Sequence, residues 1–278
     1  MFIATIVAKE RLGTGDISAA CDAVRGNARA VVDGVACDVS FSGSGSDGRQ
    51  ALESALPKHD IIVQRAQERH RKLLVADMDS TMITVECIDE LADYIGLKAE
   101  VSEVTERAMR GELDFAEALR SRVALLAGLS EATVGECLRE RVKLMGGAVD
   151  LIAAFKKAGG RAVLVSGGFT HFTYSVAKQI GFDRAVANRL IVKDGALTGE
   201  VEFPIVDAQT KRATLIGEAA ALGIPLSATI AIGDGANDIP MIETAGLGIA
   251  FHAKPKTEAA AAARIRHGDL NVLRYALG

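Results

Sequence analysis

The stretch LLVADMDST, Leu73–Thr81, decides how this chain is read. Lys72–Ala76 is an apolar run suited to a buried strand, and it stops at Asp77. Asp79 follows two residues on, so two carboxylates crowd one strand end. Such a pair repels itself and is costly to desolvate, and a bound cation relieves both. Taken alone, Asp77 capping a turn and Asp79 capping the next helix is an equally good reading, because Asp is common in turns.

A second acidic cluster shifts that balance. In AIGDGANDIPM, Ala231–Met241, Asp234 and Asp238 follow the apolar run Ala228–Ile232, with Gly233 and Gly235 around Asp234. Strand and helix patterns alternate between the clusters. Ala162–Val165 reads as a strand, Thr170–Ile180 as a helix and Ala185–Val192 as a strand, followed by a hairpin through Asp194-Gly195. Asp207–Leu222 reads as a helix and Gly246–Phe251 as a further apolar segment, while Ala259–Ala263 is an alanine-rich helix segment. The alternation predicts an α/β domain on a mostly parallel sheet, whose strand ends share one ligand-binding edge. On that edge Asp77, Asp79 and Asp234 can converge on one hard cation. An all-oxygen set with room for water suits Mg²⁺ better than Zn²⁺. The region from Val85 to Met145 is charged, helix-patterned and almost free of strand signal, which predicts a helical cap inserted after the first core strand.

VLVSGGF, Val163–Phe169, sets Ser166, Gly167 and Gly168 between a strand and a helix. The hydroxyl and exposed N–H groups of such a loop can hold a phosphate. Many ordinary turns share the pattern. Lys211 lies near the start of its helix, where the macrodipole disfavours a cation. It reads either as a solvated lysine or as the balance for a site's anions.

In this order and spacing DMDST, SGG, Lys211 and GDGAND resemble the signatures of the haloacid dehalogenase superfamily of phosphohydrolases, from about Arg71 onward. The resemblance implies a Rossmann-like core with an inserted cap. It implies Asp77 as the nucleophile and Asp79 as the general acid and base. It implies Mg²⁺ on the Asp77 carboxylate, the Asp79 backbone carbonyl and Asp234. Ser166, the Gly167 N–H and Lys211 would hold the phosphoryl oxygens, with Asn237 closing the shell and Asp238 orienting Lys211 or metal-bound water. VECIDELA, containing Glu86, and DFAEALRSRVALLAGL, Asp114–Leu129, match the branch that hydrolyses phosphoserine in the last step of serine biosynthesis. That match implies Glu86 on the substrate ammonium, Arg122 on its carboxylate and Phe115 as an apolar wall. Read singly, Glu86 is a first-turn helix acid, Arg122 a surface cation and Phe115 a core residue. The expected partner is this small substrate, with no nucleic acid and no membrane. A homodimer is left open.

Residues 1–70 follow a different pattern. Phe2–Ala8 reads as a strand and Gly13–Arg25 as a helix capped by Thr14 or Asp16. Ala28–Val32 and Val35–Phe41 read as a hairpin on a type I′ turn at Asp33-Gly34. Gly48–Leu56 is a helix pattern and Ile61–Gln64 a strand. The order βαββαβ is that of a ferredoxin-like domain. It resembles the small amino-acid-binding (ACT-like) domain found beside such phosphatases, and it predicts domains at 1–70 and 71–278 with the cap at about 85–145.

Composition agrees with two domains: 278 residues, 49% apolar and 24% charged. A net charge of −4 argues against a general nucleic-acid binder. The uncharged stretch Ala219–Gly233 contains Gly223 and Pro225 and is shorter than the roughly 20 apolar residues of a spanning helix. MFIATIVAKE lacks the basic start of a secretory signal. Cys21, Cys37, Cys87 and Cys137 are scattered, as in a reduced cytoplasmic protein. The histidines, among them His171 beside the Ser-Gly-Gly loop, show no metal-site spacing. There is no GxxxxGK[ST] loop, and no nucleophile elbow surrounds Ser166. The glycine excess, 28 residues, fits loops shaped around a ligand or small-residue packing.

Overall fold

The computed structural model describes residues 1–110 and 112–277. The chain runs β1 (Phe2–Ala8), α1 (Thr14–Val24), β2 (Asn27–Val32), β3 (Ala36–Phe41), α2 (Gly45–Ala55) and β4 (His59–Arg65). The first core strand is β5 (Leu73–Ala76), and four helices follow: α3 (Cys87–Asp93), α4 (Lys98–Met109), α5 (Phe115–Leu125) and α6 (Glu131–Glu140). Then come α7 (Ala148–Lys157), β6 (Arg161–Phe169), α8 (Thr170–Ile180), β7 (Arg184–Asn188), β8 (Leu190–Lys193) and β9 (Ala196–Val201). The chain continues through α9 (Ala208–Ala221), β10 (Thr229–Gly233), α10 (Ile239–Thr244), β11 (Leu247–Phe251), α11 (Pro255–Ala260), β12 (Ala263–Ile265) and α12 (Asn271–Ala276).

Ten strands form one sheet in the order β2-β3-β1-β4-β12-β11-β10-β5-β6-β7. From β12 to β7 the neighbours are parallel, and from β2 to β4 they are antiparallel. The halves meet in an antiparallel pairing at Arg264 and Ile61. The core strands are apolar on both faces because helices cover both. In β5, Leu73 and Val75 pack with Leu215 of α9 and Met241 of α10, while Leu74 and Ala76 share a cluster with Phe155 of α7 and Phe172 of α8. This burial pins the register that carries Asp77 and Asp234 to one edge, since Ile232 pairs with Ala76.

The cap helices leave and rejoin the core through a narrow neck. Ile83 bridges Leu144, Thr84 N–H donates to Lys143 O, and Met145 N–H donates to Met82 O. The β8–β9 hairpin also binds the cap: Leu197 N–H donates to Leu129 O and Gly128 N–H to Leu197 O. The expected strand Ala185–Val192 is thus two strands, β7 in the main sheet and β8 in this hairpin. At its tip Asp194 and Gly195 both take positive φ, as a type I′ turn requires. Asp33-Gly34 does not form the type I′ turn its sequence suggests. There only Gly34 has positive φ, and Val32 pairs with Ala36 across a longer loop. The N-cap of α1 is Gly13, with Asp16 reaching back to accept its N–H, rather than Thr14 or Asp16. Ala259–Ala263 is not one helix segment either: α11 ends at Ala260 and Ala263 opens β12. The alanines are small enough for both, and an open sheet edge beside β11 decided it. Among the described residues no helix is long and apolar enough to cross a membrane.

Candidate active site

Asp77 leaves the end of β5 with 6% of its surface exposed. Lys211, fully buried on the first turns of α9, donates through Nζ to Asp77 Oδ1 at 2.5 Å and to Asp238 Oδ1 at 2.7 Å. The other Asp238 oxygen accepts the N–H groups of Asp234 (3.2 Å) and Gly235 (3.1 Å), which locks the loop after β10. Burial alone would lower the Lys211 ammonium, but Asp238 and Asp77 outweigh it and raise it. Asp77 moves the other way: burial first, then Asp238, push its carboxyl up to about 7 against the pull of Lys211.

Asp77, Asp234 and Asp238 each offer a carboxylate oxygen, all within 4.8 Å of one another and all buried. Burial, then Glu86 and Asp77, raise Asp234 well above the carboxylate range. Such a cluster lacks positive charge with only Lys211 present, and its donors are all oxygen, so it can hold a hard metal ion. The Asp79 carboxylate is not among these three. It accepts from the Cys87 N–H at 2.9 Å and from Ser166 Oγ at 3.2 Å, and burial raises its pKa.

Ser166 Oγ accepts the Gly168 N–H at 2.8 Å. The two glycines are required by close packing rather than by unusual φ. A Cβ on Gly167 would stand 2.6 Å from Phe115 Cζ, and one on Gly168 would stand 2.6 Å from Asp79 Oδ2. Replacing Gly168 by Ala should displace the Asp79 carboxyl and cut kcat about 10²-fold. The thermal midpoint should fall by only a few degrees. Steady-state kinetics and a melt of the same preparation check both.

The cap supplies the opposite wall. Ile88, Thr105, Ala108, Phe115, Leu119 and Arg122 line a cavity whose floor includes Asp77, Asp79, Gly167 and Asn237. Glu86 also faces it, half-buried, with Ser80 Oγ donating to its Oε1 at 2.6 Å. Burial and the nearby Asp79 raise the Glu86 carboxyl, so a cationic guest would be welcome there. Arg122 is 5% exposed and donates to Thr105 Oγ1 and Ala118 O. Among the described residues no carboxylate forms an ion pair with it. The cap is held to the core rim by Lys254–Glu106 at 2.7 Å, and His171 Nε2 lies 3.6 Å from Glu131 Oε1 beside it. His171 therefore serves the rim rather than the cavity lining.

Of the residues singled out from the sequence, Asp77, Asp79, Glu86, Phe115, Arg122, Gly167 and Asn237 line this one cavity, Ser166 and Lys211 are bonded to its floor, and Asp234 and Asp238 stand behind Asp77 in the acidic cluster. Sequence reasoning missed Asn188, which is 2% exposed. Its Nδ2 donates to Gly167 O at 2.8 Å and its Oδ1 accepts from Val206 N–H at 2.7 Å. A lone Asn inside the apolar run RAVANRLIV was the available signal. It also missed Thr81, whose Oγ1 donates to Asp234 Oδ1 at 3.3 Å.

Residues 74–243 match the family model of haloacid dehalogenase-like hydrolases. The chain belongs to that family. Individual proteins extend the likeness. The phosphoserine phosphatase of Albidiferax ferrireducens is 48% identical over 207 residues, covering 73% of this chain and 87% of that protein. A solved hydrolase of the family from Salmonella enterica serovar Typhi superposes with a TM-score of 0.88 at 27% identity, over 100% of this chain and 99% of that one. A solved phosphoserine phosphatase in the form of a phospho-aspartyl intermediate analogue gives a TM-score of 0.71 at 42% identity, over 74% of this chain and 99% of that one.

Proposed function

We propose that this hydrolase is an Mg²⁺-dependent phosphatase that releases serine from O-phosphoserine. The carrying observation is one cavity in which Asp77, bonded to the buried Lys211–Asp238 pair, faces half-buried Glu86 and a buried Arg122 that has no acid partner among the described residues. Phosphoserine has three charged groups: a phosphate for the core, an ammonium for Glu86 and a carboxylate for Arg122. The relatives named phosphoserine phosphatase support the same substrate.

In this reading Asp77 attacks phosphorus in line, and the serine oxygen departs with the electron pair of the broken P–O bond. Burial keeps Asp79 protonated more readily than an exposed carboxyl, which suits it to give that oxygen its proton. The carboxylate so formed then takes a proton from the water that hydrolyses the aspartyl phosphate. Ser166 Oγ, the Gly167 N–H and Lys211 Nζ hold phosphoryl oxygens, and Asn237 completes the shell. The Asn237 amide nitrogen would be the group that donates to a phosphoryl oxygen, while its Oδ1, buried without a hydrogen-bond partner among the described residues, is an acceptor left for a donor such as a water molecule. Asp77, Asp234 and the Asp79 carbonyl would hold Mg²⁺, which when bound offsets the repulsion between an anionic nucleophile and an anionic phosphate. Phe115, against Gly167, walls the reacting atoms from water.

The same proposal treats residues 1–70 as an ACT-like unit. Its own apolar cluster, centred on Ile6, Val39 and Leu52, supports that division. Phosphate release from L-phosphoserine should require Mg²⁺ and stop with EDTA, and should exceed release from phosphoethanolamine, which lacks the carboxylate. Equal rates on the two esters, or full activity in EDTA, would defeat the reading.

A further inference from the structure

Arg122 carries a full charge in a place where water reaches little of it, yet its nearest partners are neutral. Nη1 donates to Thr105 Oγ1 at 2.7 Å and Nε to Ala118 O at 3.0 Å. Thr105 is 3% exposed and has one hydroxyl proton. Two acceptors compete for it, Asp89 Oδ1 at 2.7 Å and Val101 O at 3.0 Å. The carboxylate is nearer and charged, so it takes the proton. The other Asp89 oxygen accepts from Ser102 Oγ at 2.7 Å, which fixes the carboxylate in turn. The order is therefore Arg122 to Thr105 to Asp89, with one hydroxyl between the buried cation and the buried anion.

We propose that Asp89 and Thr105 are positioning and specificity residues that aim Arg122 at the substrate carboxylate. This rests on the proposed role of Arg122 as the carboxylate anchor. A direct Asp–Arg pair would occupy the guanidinium fork and leave little of it for a ligand. Interposing a hydroxyl keeps the compensating charge close enough to support a buried guanidinium while leaving donors free for the guest. The three groups sit on α3, α4 and α5, so the relay lies wholly within the cap. Arg122 is thus oriented by cap residues alone, and ordering it on binding costs little.

The test compares KM and kcat for L-phosphoserine and phosphoethanolamine in Thr105→Val, Thr105→Ser, Asp89→Asn and Arg122→Ala. Thr105→Val, of nearly the same shape, should raise KM for phosphoserine about tenfold with much less effect on kcat. It should leave KM for phosphoethanolamine within about twofold. Thr105→Ser keeps the hydroxyl and should retain the preference for phosphoserine, and Asp89→Asn should show a smaller loss than Thr105→Val. A merely structural role predicts that both esters suffer alike, or that the thermal midpoint falls in step with activity. A Thr105→Val protein with its preference intact, beside an Arg122→Ala protein that has lost it, overturns the relay alone. Preference intact in Arg122→Ala overturns the anchor and the relay with it.

Discussion

Asp77→Asn should lower kcat on phosphoserine by at least about 10³-fold, because an amide oxygen is too weak a nucleophile to form the acyl phosphate. Acid-quenched wild-type protein should carry the mass of one added phosphoryl group during turnover, and the variant should not. The fold should survive, since Lys211 keeps its bond to Asp238. The stability change has a definite sign with pH. Burial and Asp238 raise the Asp77 carboxyl from 3.8 to about 7, so between those values the folded chain holds a proton that the unfolded chain has lost. The contribution of this group to stability is full below the lower value and is lost as pH rises through about 7. The amide does not titrate, so in metal-free protein the melting point of Asp77→Asn relative to wild type should climb from pH 5 to about pH 7 and then level off. Substantial phosphatase activity in a verified Asp77→Asn sample would remove Asp77 from the role of nucleophile.

Lys211→Met has the other large expected effect, and it reaches stability as well as rate. The methionine fills much of the same space, but Asp77, Asp234 and Asp238 then remain buried without their cation. Removing one partner of a buried pair costs about 3–5 kcal/mol, which corresponds to a fall of roughly 10 °C for a chain of this size. Loss of a positive group at the transferring phosphoryl should cost a further 10²–10³-fold in kcat, by about the magnitude known for such donors. Divalent metal should stabilise the variant more than wild type, since it supplies the missing charge. Adding Asp238→Asn should recover part of the lost stability, because the double variant has one fewer uncompensated carboxylate. A metal-free Lys211→Met protein as stable as wild type would show that Lys211 does not neutralise this cluster.

How much of this was legible beforehand follows from residue chemistry. Strands such as β5 and β10 stand out because burial on both faces demands unbroken apolar runs, and catalytic acids break those runs abruptly. The helix over Thr170–Ile180 was readable from its period alone. Errors fell where local signals were degenerate. Asp-Gly makes a type I′ turn at 194–195 but not at 33–34, since the pairing of the flanking strands sets the loop length. Ala263 became a strand residue because β11 offered an unpaired edge, a fact absent from the alanine run itself.

By itself the sequence determined the order of elements, the doubly buried core strands and the list of acids, glycines and cations at their ends. These depend on local periodicity and on residue types that few other roles explain together. Only the tertiary structure decided what each group does to the others. It brought Lys211 onto Asp77 across 134 positions of chain, turned the Asp79 carboxylate away from the acidic cluster, and left Arg122 one hydroxyl short of Asp89. Charge interactions and desolvation depend on distance and burial in three dimensions, and spacing along the chain carries neither.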